Sequence, residues 1–143
     1  MKLSRKIFAM IAASALLTLL ATSNLAAPPE LKSLSANARG QGTMTVGREV
    51  FKVYSVVVEL DEDGTGDLTV VTDLTLFISC TWSANADLSK GIDLKVTGGS
   101  TASGATGSGK LLLKPDGNSI ASLSLQGSSN TGKRKVQLNF VAE

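Results

Sequence analysis

The chain has 143 residues, of which 14 are basic and 12 are acidic, and it contains no histidine. The absence of histidine removes the commonest general base and the commonest transition-metal ligand, so the sequence predicts a protein that is not an enzyme. A near-neutral chain also lacks the clustered positive charge that nucleic-acid binding draws on, and no nucleic-acid partner is expected.

Residues 1–26 have the three-part layout of a secretory signal peptide. Three basic residues lie among the first six, residues 7–20 are apolar apart from Ser and Thr, and small residues follow up to Ala27. The apolar run is shorter than the roughly 20 residues of a spanning helix, so no stable membrane span is expected. We expect cleavage near the Ala26–Ala27 bond and a secreted or periplasmic protein. Cleavage there would leave 11 basic and 12 acidic residues, a net charge of −1.

Beyond residues 27–40, which we interpret as an N-terminal linker, apolar and polar residues alternate. About eight segments of residues 41–143 show this alternation, and turn sequences such as Asp63-Gly64 and Asp116-Gly117 separate them. In chain order these segments read GTMTV, EVFKVYSVVVEL, DLTVVT, LTLFISCTW, GIDLKVTG, SGKLLLK, SIASLSLQG and RKVQLNFVA. Alternation with period two is typical of half-buried strands, and short connections favour antiparallel pairing.

The sequence therefore predicts a single all-β domain of about eight antiparallel strands in an up-and-down meander. Closure into a small β-barrel is favoured because it removes exposed strand edges, and a two-sheet β-sandwich is the alternative. The alternation slips near Val56-Val57-Val58, which indicates a bulge or a segment buried on both faces.

The stretch GATGSGKLLLK, residues 104–114, has the glycine and lysine spacing of a phosphate-binding loop. Such a loop needs Ser or Thr after the lysine and a helix that begins there, but Leu111 follows Lys110 and the next residues alternate like a strand. We interpret the stretch as a Gly/Ser-rich hairpin loop that enters a strand. No nucleotide is expected to bind it.

The acidic stretch DEDGTGD, residues 61–67, is a weak candidate for a calcium site. Asp61, Asp63 and Thr65 fall at the first three ligand positions of a calcium loop, but Thr72 stands where the closing glutamate belongs. An acidic β-turn is the favoured interpretation, so no metal or other cofactor is expected.

Three further features have structural explanations that compete with functional ones. Cys80 shares a strand face with Ile78 and Trp82, which indicates a buried thiol in a monomer; an intermolecular disulfide is the alternative. The basic run 133–135 is either a solvated hairpin or a contact with an anionic surface such as polysaccharide or lipid headgroups. Glu59 lies within an apolar run, and an outward position beside a bulge is the favoured interpretation.

Two classes of function remain open for this exported domain. In the first, the barrel binds a small apolar ligand, and the candidate lining residues are Ile78, Trp82, Leu94, Leu113, Leu123 and Phe140. In the second, the domain is a structural or interaction protein of the cell envelope or exterior. An apolar cavity would favour the first class, and a filled interior with an exposed apolar patch would favour the second.

Overall fold

A computed structural model describes residues 31–85, 87–99, 105–129 and 133–143. These residues form eight strands and one short 3-10 helix, Leu88–Lys90. The strands are β1 (Leu34–Val46), β2 (Glu49–Leu60), β3 (Thr65–Val71), β4 (Thr75–Ala84), β5 (Ile92–Gly99), β6 (Thr106–Leu113), β7 (Ile120–Ser129) and β8 (Arg134–Ala142). Within this described part of the chain, no helix is long and apolar enough to cross a bilayer.

The eight strands close into an antiparallel up-and-down barrel, which confirms the predicted fold and excludes the sandwich. Each strand pairs with its sequence neighbour, and β1 pairs with β8 from Gly40↔Ala142 to Val46↔Val136. Closure leaves neither β1 nor β8 as a free edge. All eight strands and the buried core lie in one compact unit, Leu31–Glu143, so this segment contains the complete barrel.

The first strand begins earlier than the sequence predicts. Residues 34–40, interpreted as part of a linker, form the first half of β1 and pair with the last half of β2. Leu34 is buried opposite Leu60, and the small residues Ala36 and Ala38 follow on the same face. Because these inward residues are small, the apolar alternation is weak in this part of the sequence. Their pairing with β2 holds them in the sheet.

The slip in the β2 alternation is real, but it lies at Tyr54-Ser55, just before the predicted position. Val53 and Val56 are both fully buried, although their positions differ by three, an odd number that strict alternation would place on opposite faces. The register against β1 shifts between Arg39 and Gly42. A bulge of this kind bends a strand and increases its local twist, as closure of a small barrel requires.

Because the strands run alternately up and down, the turns and strand ends fall into two groups at opposite ends of the barrel, which we call the mouth end and the closed end. The mouth end contains the turns β1–β2 and β3–β4, together with the adjoining ends of β5, β6, β7 and β8. The closed end contains the connections β2–β3, β4–β5 and β6–β7, residues 31–33 before β1, and Glu143. At the closed end, the Trp82 indole N–H donates to the Asp61 carbonyl (2.9 Å) and the Glu143 amide donates to the Arg39 carbonyl (3.0 Å).

Candidate apolar cavity at the mouth end

An apolar cavity of about 220 Å³ lies inside the mouth end of the barrel. Its wall is mainly hydrocarbon from strands around the whole barrel, and its apolar lining side chains are Met44, Val46, Phe51, Leu74, Leu76, Ile78, Val96, Ala105, Leu125 and Val136. Met44, Leu76 and Leu125 are buried at its base, whereas Leu74 is exposed at its rim. The cavity therefore extends from the core to the barrel surface.

The cavity exists because several wall positions near the mouth have no side chain. Gly98, Gly107 and Gly127 all line it, and Gly107 and Gly127 are paired across β6 and β7. Further towards the closed end, the same strand faces carry Leu111 and Leu123, both completely buried. Large residues thus fill one half of the barrel, while glycine leaves space in the other.

Only one of the six candidate lining residues is at this cavity. Ile78 lines it and is half-buried. The other five candidates are not among its lining residues: Trp82, Leu94, Leu113, Leu123 and Phe140. All five belong to the core or pack against it, with Leu123 and Phe140 almost completely buried.

The cavity residues that the sequence did not single out include Met44, Phe51, Leu76, Leu125 and Val136. Each occupies an inward position of its strand, which alternation alone could indicate. Alternation does not show, however, which inward side chains pack tightly in the core and which border an empty space. The available signal was the glycine spacing in TGSG and LQG, where inward positions lose their side chains towards the mouth.

Two charged side chains and one ordered turn form the rim of the cavity. Glu49 and Arg134 both line it and are exposed. In the β3–β4 turn, the Thr72 hydroxyl donates to the Leu74 carbonyl (2.8 Å) and accepts from the Leu74 amide (3.0 Å). Thr72 itself is buried, so its hydroxyl fixes the turn from inside.

Cys80 is buried in the wall, as the sequence predicts. It is 2% exposed and belongs to the core cluster. Burial raises the pKa of the Cys80 thiol to about 11, and the negative charge of Asp67 adds to the rise. A thiol that is buried and protonated at neutral pH is poorly suited to nucleophilic attack or to an intermolecular disulfide.

Lys110 and Leu111 of the candidate phosphate-binding loop lie within strand β6, whose first residue is Thr106. Thr106 and Gly107, which lie before the predicted segment SGKLLLK, are also strand residues, so the loop interpretation is wrong for these two positions. Gly104 lies outside the described residues. A strand offers neither the helix dipole nor the free amides that a phosphate needs.

The acidic stretch forms the tip of hairpin β2–β3. The Asp63 carboxylate accepts hydrogen bonds from the Thr65 amide (2.9 Å) and hydroxyl (2.6 Å), and these bonds lower the pKa of Asp63. Within the described ranges, no three Asp, Glu, Cys or His side chains converge in a way that could hold a metal ion. The Asp63 oxygens thus stabilise the turn.

Glu59 and the basic run both lie on the outside of the barrel. Glu59 is exposed opposite Ser35 and Asp67, as the outward interpretation predicts. Lys133, Arg134 and Lys135 are exposed where β8 begins at the mouth end. The basic run is therefore adjacent to the cavity, which its position in the sequence did not indicate.

The fold and the cavity define a small closed β-barrel with an internal apolar space at one end. No protein-family model matches this chain, and no curated protein or solved structure matches it significantly.

Proposed function

We propose that this protein is an exported, non-enzymatic β-barrel that binds a small apolar ligand in the mouth cavity. The observation that carries the proposal is the apolar cavity of about 220 Å³. The signal-peptide pattern of residues 1–26 supports export to the periplasm or exterior, and the absence of histidine supports a non-enzymatic role.

The size of the cavity indicates the class of ligand. An apolar cavity of about 150 Å³ is enough to hold benzene, whereas pockets for drug-sized ligands measure roughly 300–1,000 Å³. The cavity here lies between these sizes, so it suits a single ring or a short hydrocarbon chain. The hydrocarbon base of the cavity favours a ligand whose main part is apolar. A polar group at the other end of the ligand would lie at the rim, beside the charged side chains of Glu49 and Arg134.

Titration of the barrel, residues 31–143, with toluene and with 1-hexanol tests the proposal by amide NMR. We expect saturable shifts confined to cavity strands, and loss of binding in Val136→Phe because the larger ring occupies the cavity. Val141→Phe is the matched control, because it makes the same change on the outer face of the same strand.

Thermal melts of both variants establish that they are folded before binding is compared. Equal binding by Val136→Phe and the parent barrel, or no binding of either probe, would contradict the proposal. Native mass spectrometry of the full chain, purified from its own secretion route, adds a second readout: a co-purifying small molecule supports ligand binding.

An interaction protein of the cell envelope is the second candidate, favoured by apolar residues on the outer wall. Phe77 is 53% exposed on the outer face of β4, and cross-strand pairing places Thr69 beside it and Val57 beyond. Aromatic residues are enriched in protein–protein interfaces, so Phe77 is the candidate anchor for a protein partner. Loss of a co-purifying partner in Phe77→Ser, with toluene binding unchanged, would favour this second function.

A further inference from the structure

The charged residues of the described chain are distributed unevenly between the two ends of the barrel. The basic residues at the mouth end are Arg48, Lys133, Arg134 and Lys135, and the acidic ones are Glu49 and Asp73. At the closed end the basic residues are Lys32, Lys90 and Lys114, and the acidic ones are Asp61, Glu62, Asp63, Asp87, Asp116 and Glu143. The mouth end thus has a net positive charge and the closed end a net negative charge, although the whole domain is nearly neutral.

The basic residues of the mouth end lie close together because two hairpins meet there. The Gly47 amide of the β1–β2 turn donates to the Lys135 carbonyl (2.8 Å). The aliphatic part of Arg134 lies over the same turn, about 3.9 Å from the position of a Cβ on Gly47. Arg48, the next residue after Gly47, therefore lies on a turn that is bonded to the start of β8, where the other three basic residues of the mouth end are found.

An apolar side chain stands exposed at the same rim. Leu74 is 62% exposed, and the hydrogen bonds between Thr72 and Leu74 fix the turn that carries it. Val50, beside Glu49 at the start of β2, is 67% exposed on the outer wall. Since an ordered turn loses little entropy on binding, insertion of Leu74 into a partner surface would carry a small entropic cost.

We propose that the mouth end of the barrel docks on a membrane surface that carries anionic lipids. Positive charge attracts the headgroups, and the exposed leucine enters the boundary between headgroups and acyl chains. An anionic polysaccharide would satisfy the charge but would offer nothing apolar to Leu74, so lipid fits both observations. Docking in this orientation turns the cavity towards the bilayer; it requires no ligand in the cavity and is independent of the proposed function.

Vesicle sedimentation tests this inference. The protein used is the barrel, residues 31–143, because the apolar run 7–20 of the full chain would itself bind lipid. The vesicles contain phosphatidylcholine alone or a 3:1 mixture with phosphatidylglycerol. We expect binding to the mixed vesicles at ~0.1 M salt, and loss of most of it at ~1 M salt, where the Debye length falls to ~3 Å. The double variant Lys133→Gln, Lys135→Gln should bind the mixed vesicles at least about tenfold more weakly. Each basic residue near an anionic surface raises the binding constant about fivefold.

Matched substitutions distinguish the mouth end from the rest of the surface. Lys32→Gln with Lys90→Gln makes the same change in charge at the closed end and should leave vesicle binding unchanged. Leu74→Ser should weaken binding about tenfold, whereas Val141→Ser, at a residue 63% exposed near the closed end, should not.

Absence of binding to mixed vesicles would overturn the inference, as would equal losses in the mouth-end and closed-end variants. Binding to dextran sulfate but not to vesicles would also overturn it, and would assign the basic rim to an anionic polysaccharide. Thermal melts verify that each variant is folded, and all six substituted positions are exposed, so their replacement leaves the core intact.

Discussion

Gly107 of β6 and Gly127 of β7 are paired across the barrel wall, and a Cβ at either position would clash with the backbone of the other strand. A Cβ on Gly107 would lie 2.5 Å from the Gln126 carbonyl oxygen, and one on Gly127 would overlap the Thr106 carbonyl oxygen. The two strands therefore approach more closely than residues with a Cβ would allow. This close approach, and the missing side chains, shape the wall of the cavity.

Gly127→Ala should lower the free energy of unfolding by about 2 kcal/mol, because the added methyl forces the two strands apart. Urea denaturation measures the change. Gly98→Ala is the control: it has no atom within 4 Å of the new Cβ, so we expect a change of at most ~0.5 kcal/mol or a slight gain in stability. Equal destabilisation by both substitutions would contradict the proposed close approach.

Truncation of interior side chains should separate the filled half of the barrel from the cavity half. Leu123→Ala removes a fully buried side chain and should cost about 3 kcal/mol in the free energy of unfolding. Ile78→Ala should cost only about 1 kcal/mol, because Ile78 is half-buried and already borders empty space. Chemical denaturation of both variants provides the comparison, and a larger loss for Ile78→Ala would show that the cavity is filled in solution.

The buried thiol should make stability fall at alkaline pH. The pKa of Cys80 is raised from 9.0 to about 11 in the folded protein, so between these values the folded state retains a proton that the unfolded state has lost. The contribution of the protonated thiol to the free energy of unfolding is fully present below pH 9. It is lost as the pH rises through about 11, and the total loss is roughly 2 kcal/mol. The difference between the parent and Cys80→Ala, measured by urea denaturation from pH 7 to 11, isolates this effect.

A thiol reagent provides a second test of the same burial. Native protein at pH 8 should react slowly with a disulfide reagent such as dithionitrobenzoate, and unfolded protein should react quickly. Rapid reaction of the native protein would contradict the buried position of Cys80.

The β6–β7 turn should lose stability in acid. The Asp116 carboxylate accepts hydrogen bonds from the Ser119 hydroxyl (2.6 Å) and from the amides of Asn118 and Ser119, and the Ser119 hydroxyl contributes most to lowering the pKa of Asp116. Because the folded pKa is depressed, the stabilisation is present above the ordinary value of 3.8 and is lost as the pH falls below it. Asp116→Ala should therefore melt at a lower temperature than the parent at pH 7, and the gap should narrow below about pH 4. A gap that stays constant down to pH 2 would contradict this role.

The fold could be predicted because alternation and turn residues act over short distances. Seven of the eight connected strands lie close to their predicted segments, and the turns at Gly64 and Gly117 have the positive φ that glycine permits. The exception is the start of β1, whose inward residues Ala36 and Ala38 are too small to give a clear alternation. Their place in the sheet comes from pairing with β2, which a local pattern does not contain.

The cavity could not be predicted in the same way, because its location depends on how the strands are staggered around the barrel. Ile78 and Trp82 share one face of β4, yet the first lines the cavity and the second packs against the core of the closed half. Their difference is height along the barrel axis, which the sequence does not encode locally. The meeting of Gly47 with Lys135, which gathers the basic residues, is likewise a contact between the first hairpin and the last strand.

The pairing of β1 with β8 also has a consequence for how the protein reaches its folded state. The barrel joins its first and last strands, so the wall cannot close until Arg134–Ala142 has been synthesised and is free to pair. Until then β1 and β7 each present an unpaired edge that can join another chain. Contacts so distant in sequence form slowly, in milliseconds to seconds, and a chain truncated before β8 should aggregate.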